Sequence, residues 1–308
     1  MKLSCLPVSF FPEIICGHMS IADWARMGAE LGLEAIDLSI LFLPERTVRC
    51  ATDIRRQVED AGMRVAMLTS YPDFTHPQAS VRDRELHLAV EAAAIAQEIG
   101  ADLLRVTAGQ AHPETGRRDG IRWAVEGLTR LVEQSDGLRV RPVYENHAKP
   151  GAWDYTDFSQ PPDIFLEIVR QTADANLGVN FDTGNATAFC EDPLGLLEQV
   201  IGRVVSLHVA DTAVRGELKP VLLGTGLAPL DRVFHRLQRA GWDGWVCMEE
   251  ASFRGRQGVE DSARYVRETW AHSATPVAPG LAARRETRGL ADHPRPESGK
   301  GSGGIRTD

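Results

Sequence analysis

Residues 177–211 read LGVNFDTGNATAFCEDPLGLLEQVIGRVVSLHVAD. Two short apolar runs, Leu177–Asp182 and Val204–Ala210, flank a span long enough for a helix, and polar residues gather where each run ends. That is the pattern of a buried strand, a crossover and a second buried strand. The pattern recurs along the chain: runs at Lys2–Phe10, Leu33–Ser39, Met63–Ser70, Asp102–Thr107, Arg139–Asn146 and Gly244–Glu249 bring the expected strands to eight. Between most of them lie stretches of helical period. MSIADWARMGAELG has Ser20 as its cap, and VRDRELHLAVEAAAIAQEIG carries an apolar stripe at Leu86, Ala89, Ala93 and Ala96. Gly32, Gly62, Gly100, Gly137 and Gly241 stand where a left-handed cap turns a helix toward the next strand.

Eight strand–helix units in about 250 residues predict one α/β domain, a (β/α)8 TIM barrel over residues 1–272 that would be the catalytic domain. An open doubly wound sheet would want a phosphate-binding glycine fingerprint after its first strand, and this sequence has none there. The one GxG, Gly224-Thr225-Gly226, reads as a tight turn. From Ser273 to Asp308 the chain holds six glycines, four prolines and no aromatic residue, the composition of a disordered C-terminal tail.

The 308 residues are 43% hydrophobic and 25% charged, an ordinary globular balance, with a formal charge of −9. Lysine and arginine are scattered, so the acidic surface opposes a nucleic-acid partner. No apolar run approaches the ~20 residues a membrane helix needs, and Pro7, Pro12 and Glu13 interrupt the signal-like start. Five cysteines, odd in number and far apart, fit a reducing, cytoplasmic setting. The expected partner is a small molecule, with no membrane or nucleic acid, in a protein compatible with a homo-oligomer.

In a barrel the chemistry sits at the C-terminal strand ends. Four consecutive expected strands end in metal-capable side chains: Glu145 and His147, Asp182 with Asn185, His208 with Asp211, and Glu249 with Glu250. Any one carboxylate there could be a helix cap, and any one histidine a structural residue. Two glutamates, an aspartate and a histidine at one mouth would repel one another without a cation, which points to a bound divalent metal. An oxygen-rich set with one imidazole suits Mn²⁺ first, and Mg²⁺ or Co²⁺ also.

The strings YENH, NFDTGNA with EDPL following, LHVAD and CMEE resemble the xylose-isomerase-like TIM barrel superfamily of sugar isomerases and epimerases. TSYPDFTHP and GTGLAPLDRVFHRLQRAGWDGWVCME resemble it too, so the likeness spans about residues 1–270. That group includes ketose 3-epimerases, hydroxypyruvate isomerase, inosose and dehydroshikimate dehydratases, and endonuclease IV. The resemblance implies that Glu145, Asp182, His208 and Glu249 are metal ligands and that the two glutamates form the acid/base pair. Glu249 is preferred to Glu250 because strand alternation aims only one inward and the family motif places its glutamate directly after the Met. Tagatose-type epimerases usually carry histidine three residues after the strand-six aspartate; Asn185 stands here instead.

The implied reaction is isomerisation or epimerisation of a small sugar, keto-sugar or polyol derivative, by proton abstraction beside a carbonyl through a metal-stabilised enediolate. A dehydratase or lyase of the inosose or dehydroshikimate type is the alternative. An AP endonuclease, opposed by the acidic charge, and a non-catalytic sugar-binding barrel stand behind it. His147, Asn185, Arg105, Asp211 and Arg215 are the substrate-binding candidates; Arg105 could equally pair with a carboxylate, and Asp211 could orient His208.

Overall fold

The computed structural model describes residues 1–149 and 151–273. Eight parallel strands alternate with helices: β1 Lys2–Leu6, β2 Ile36–Ser39, β3 Val65–Thr69, β4 Leu103–Val106, β5 Arg141–Glu145, β6 Gly178–Asp182, β7 Val204–Val209 and β8 Trp245–Glu249. The helices are α1 Phe11–Ile15, α2 Ile21–Glu30, α3 Val48–Asp60, α4 Ala79–Ile99, α5 Arg117–Gln134, α6 Pro162–Gln171, α7 Thr183–Phe189, α8 Pro193–Val200, α9 Leu230–Arg239 and α10 Gly255–Ser273. Each expected strand is present. The first is shorter than expected: it stops at Leu6, because Pro7 has no amide to continue the ladder and the chain turns into a 3-10 turn over Val8–Phe10. The expected tail begins inside α10 at Ser273, and 274–308 lie outside the described residues.

The sheet order β1-β8-β7-β6-β5-β4-β3-β2 wraps into a nearly closed barrel. β1 pairs with β8 along its whole length, from Lys2 opposite Trp245 to Leu6 opposite Glu249. Between β1 and β2 there is no ladder; the Glu34 and Ala35 amides donate to Leu3 O at 3.0 and 3.4 Å. Sequence dictates the helix ends. Ser20 and Asp23 form a reciprocal capping box at α2, and Gly100 closes α4 at φ +86°, a left-handed conformation that costs glycine nothing.

Alternation along the strands divides the interior in two. Outward residues such as Leu38, Leu68, Tyr144, Phe181, Leu207 and Met248 meet the helices in the main core. Inward residues Met67, Leu103, Val143, Trp245 and Cys247 form a separate plug low in the barrel. Burying each large apolar side chain supplies roughly 1.5–3 kcal/mol. Above the plug the inward positions turn polar, and the C-terminal strand ends hold the charged residues.

Candidate metal centre

Glu145 ends β5, Asp182 ends β6, His208 lies one residue from the end of β7 and Glu249 ends β8. Each offers one ligand atom, and those atoms lie within 4.8 Å of one another. Glu145, Asp182 and His208 are fully buried, whereas the Glu249 side chain is 20% exposed at the mouth. His208 Nδ1 is 3.2 Å from Glu145 Oε1 and 3.3 Å from Glu249 Oε1. Glu250 faces away; its Oε1 accepts the Ser252 amide at 2.9 Å, so strand alternation separates the two adjacent glutamates.

Asp182 also caps α7, its Oδ1 accepting the Asn185 amide at 2.5 Å. Asn146, which the sequence reading passed over, clamps this strand end: its Nδ2 donates to Asp182 O at 2.9 Å and its Oδ1 accepts the Asp182 amide at 2.8 Å. Its position directly after Glu145 was the available signal. Arg105 on β4 brings its Nε within 2.7 Å of Glu145 Oε2, although the N–H is not aligned for a hydrogen bond. Its Nη1 donates to Ser70 O at 3.0 Å, and its guanidinium lies 4.5 Å from the Tyr71 ring centre.

The electrostatics are those of crowded carboxylates. Burial, then Glu249 and Glu145, push Asp182 well above the usual carboxylate range. Burial and then Glu145 raise Glu249 as well. Burial acts on Glu145 in the same direction, but the Arg105 and His208 charges overcome it and hold that carboxyl down to about 2. Burial would lower His208, yet Glu145 and Glu249 lift it to about 9. Among the described residues, Asp182 Oδ2 is buried with no hydrogen-bond partner. Three acids around one imidazole, with an acceptor oxygen unused among them, suit a divalent cation with hard oxygen ligands.

The substrate-binding candidates divide. His147 and Asn185 remain near the ligands: among the described residues His147 Nδ1 and Asn185 Oδ1 are buried without partners, and burial pushes the His147 imidazole down to about 3. The His147 ring stands 6.5 Å from Tyr71 and 6.4 Å from Trp153, two aromatics that also line a cavity of about 290 Å³ with Leu41, Arg46 and Ser70. A roomier cleft of about 590 Å³ lies between the segment after β1 and α3 and contains none of the candidates.

Asp211 has a different task from either role expected for it. Its Oδ1 accepts the amides of Thr212 and Ala228 at 2.9 Å each, and its Oδ2 those of Gly224 and Gly226 at 3.0 and 2.8 Å. The GTG segment is thus folded around a buried carboxylate, with Gly226 needed because a Cβ there would collide with Asp211 and the Thr212 carbonyl. Arg215 donates to Cys190 O at 3.0 Å, which ties its loop to the end of α7.

The profile of the xylose isomerase-like TIM barrel family matches residues 25–269. The chain is 25% identical over 262 residues to L-ribulose-5-phosphate 3-epimerase UlaE of Shigella boydii, covering 79% of this chain and 87% of that one. Among solved structures, D-psicose 3-epimerase of Clostridium cellulolyticum, crystallised with D-tagatose, superposes with a TM-score of 0.71 at 14% identity, over 88% of this chain and 99% of the other. The IOLI protein, solved with a zinc atom, superposes with a TM-score of 0.69 at 16% identity, over 89% and 98%.

Proposed function

The chain belongs to the xylose isomerase-like TIM barrel family, and from that premise we propose that it is a divalent-metal-dependent epimerase or isomerase of a small keto-sugar, with residues 1–272 as its catalytic domain. The observation that carries this reading is that one buried nitrogen, His208 Nδ1, stands 3.2 and 3.3 Å from glutamates on two different strands. Two carboxylates that can act as base and acid therefore share one small volume. The epimerase activity named for the UlaE relative, over 87% of its length, supports the same class.

Glu145, Asp182, His208 and Glu249 would hold the ion, for which Mn²⁺ is the first expectation. Such an ion would supply Lewis-acid stabilisation of negative charge beside the carbon that loses its proton. One glutamate removes that proton and the other delivers one to the opposite face, which inverts the centre; delivery to the neighbouring carbon gives isomerisation. The Arg105 charge, 2.7 Å from Glu145 Oε2, keeps Glu145 ionised. His147 Nδ1 and Asn185 Oδ1, both without partners among the described residues, orient substrate hydroxyls.

The test is proton exchange in D₂O across a panel of ketoses and ketose phosphates, with Mn²⁺ supplied. Deuterium should enter at the carbon beside the carbonyl, and Glu145→Gln and Glu249→Gln should each lower the rate by ~10²–10⁴-fold with folding intact. Full activity in both variants, or activity that survives EDTA and metal-free dialysis, would falsify the assignment.

A further inference from the structure

Two residues before three of the candidate ligands, and so on the same inward face, stand Asn180, Ser206 and Cys247. β1 and β2 add Ser4 and Asp37, and all five are fully buried. Cys247 is the register partner of both His208 and Ser4, which links the strands carrying this polar layer. At ~3.3 Å per residue the layer lies about 6–7 Å below the ligands, as the floor of the site. Its hydroxyls are committed: Ser4 Oγ donates to Asp37 Oδ2 at 2.8 Å, and Ser206 Oγ donates to Asn180 Oδ1 at 2.7 Å.

In this layer and on the histidine above it, three buried atoms have no hydrogen-bond partner among the described residues, and their chemistry is complementary. Asp37 Oδ1 is an acceptor, Asn180 Nδ2 is a donor, and His208 Nε2 points away from the glutamates that face its Nδ1. A histidine that ligates metal through one nitrogen needs its other N–H anchored. A buried water is stable with two to four polar partners, and these three supply that number.

We propose that Asp37 is the positioning residue for His208: the His208 Nε2–H donates to one buried water, which in turn donates to Asp37 Oδ1 and accepts from Asn180 Nδ2. The imidazole is thereby held in the tautomer whose bare Nδ1 faces Glu145 and Glu249. This inference rests on the metal reading above and adds the device that points the single nitrogen ligand.

The experiment uses the full chain labelled with ¹⁵N-histidine and loaded with diamagnetic Zn²⁺, with the His208 signal assigned by its loss in His208→Gln. Wild type should show Nε2 protonated and Nδ1 bare. Asp37→Leu should mix the tautomers and weaken the Kd for Mn²⁺ by ~10–100-fold, whereas Asp37→Asn, which keeps an acceptor oxygen, should restore both to within about 3-fold of wild type. An Asp37→Leu variant with wild-type tautomer and affinity overturns the proposal, and so does a wild-type protein with its proton on Nδ1, whether or not the leucine variant folds. A wild type that takes no divalent ion overturns the functional reading and this one with it; normal wild-type binding with no effect at Asp37 overturns this one alone.

Discussion

Asp211→Asn changes one atom of a side chain, and the structure says it should be nearly as harmful as Asp211→Ala. The carboxylate accepts four backbone amides at 2.8–3.0 Å, two on each oxygen. Asparagine has one oxygen. Whichever way its amide is turned, its NH₂ faces two N–H donors, either Gly224 and Gly226 or Thr212 and Ala228. Hydrogen bonds to a charged acceptor contribute ~1.5–3 kcal/mol each when independent, but four on one group are not independent. Three of the four bonds are only partly buried, so some of these amides can recruit water. A net loss of about 3 kcal/mol for alanine and about 2–3 kcal/mol for asparagine follows. Urea unfolding followed by circular dichroism measures it, and limited proteolysis should cut both variants first within residues 212–228. If Asp211→Asn unfolds within about 0.5 kcal/mol of wild type, four accepted amides are not what holds this loop.

Two further outcomes follow from buried groups elsewhere. Burial pushes Asp157 from 3.8 up to about 8, so the folded protein keeps a proton that the unfolded chain releases. Its contribution to stability is therefore full below about pH 3.8 and is lost as pH rises toward 8. Asp157→Asn should flatten the fall in unfolding free energy between pH 5 and 8 by up to about 1.4 kcal/mol per pH unit, and identical slopes in the two proteins would exclude it. A Cβ at Gly127 on α5 would sit 2.5 Å from Phe74 Cγ in a ring that is 1% exposed. Gly127→Ala should cost about 1–2 kcal/mol in a urea melt despite its better helix propensity, and a more stable variant would show that the ring can move aside.

The barrel was readable because its rules are local. A strand buried on both faces is a short apolar run, and a ligand at its end is the polar residue that stops the run, as Glu145 and Asp182 do. The choice of Glu249 over Glu250 took strand alternation, which admits one of the two, and the family motif, which puts its glutamate directly after the methionine. Asp211 was opaque for the opposite reason: three of the four amides that fill its carboxylate lie thirteen to seventeen residues downstream. Asn146, Asp37 and Asn180 bond to neighbours on other strands, Asp182, Ser4 and Ser206, and no single strand's sequence encodes that adjacency.

The absent ladder between β1 and β2 has a consequence for how the protein is made. Synthesis proceeds from the N-terminus, so β1 leaves the ribosome before the seven strands that follow it here, and it finds its ladder partner in β8, the one made after the other six. Until Trp245 has been added, β1 has no strand with which to pair along its length, and the ring stays open at one edge. Glu249 lies in that same closing strand, opposite Leu6. Pairing of β1 and completion of the four-residue cluster are therefore one event, so a nascent chain has no finished site before its eighth strand is in place.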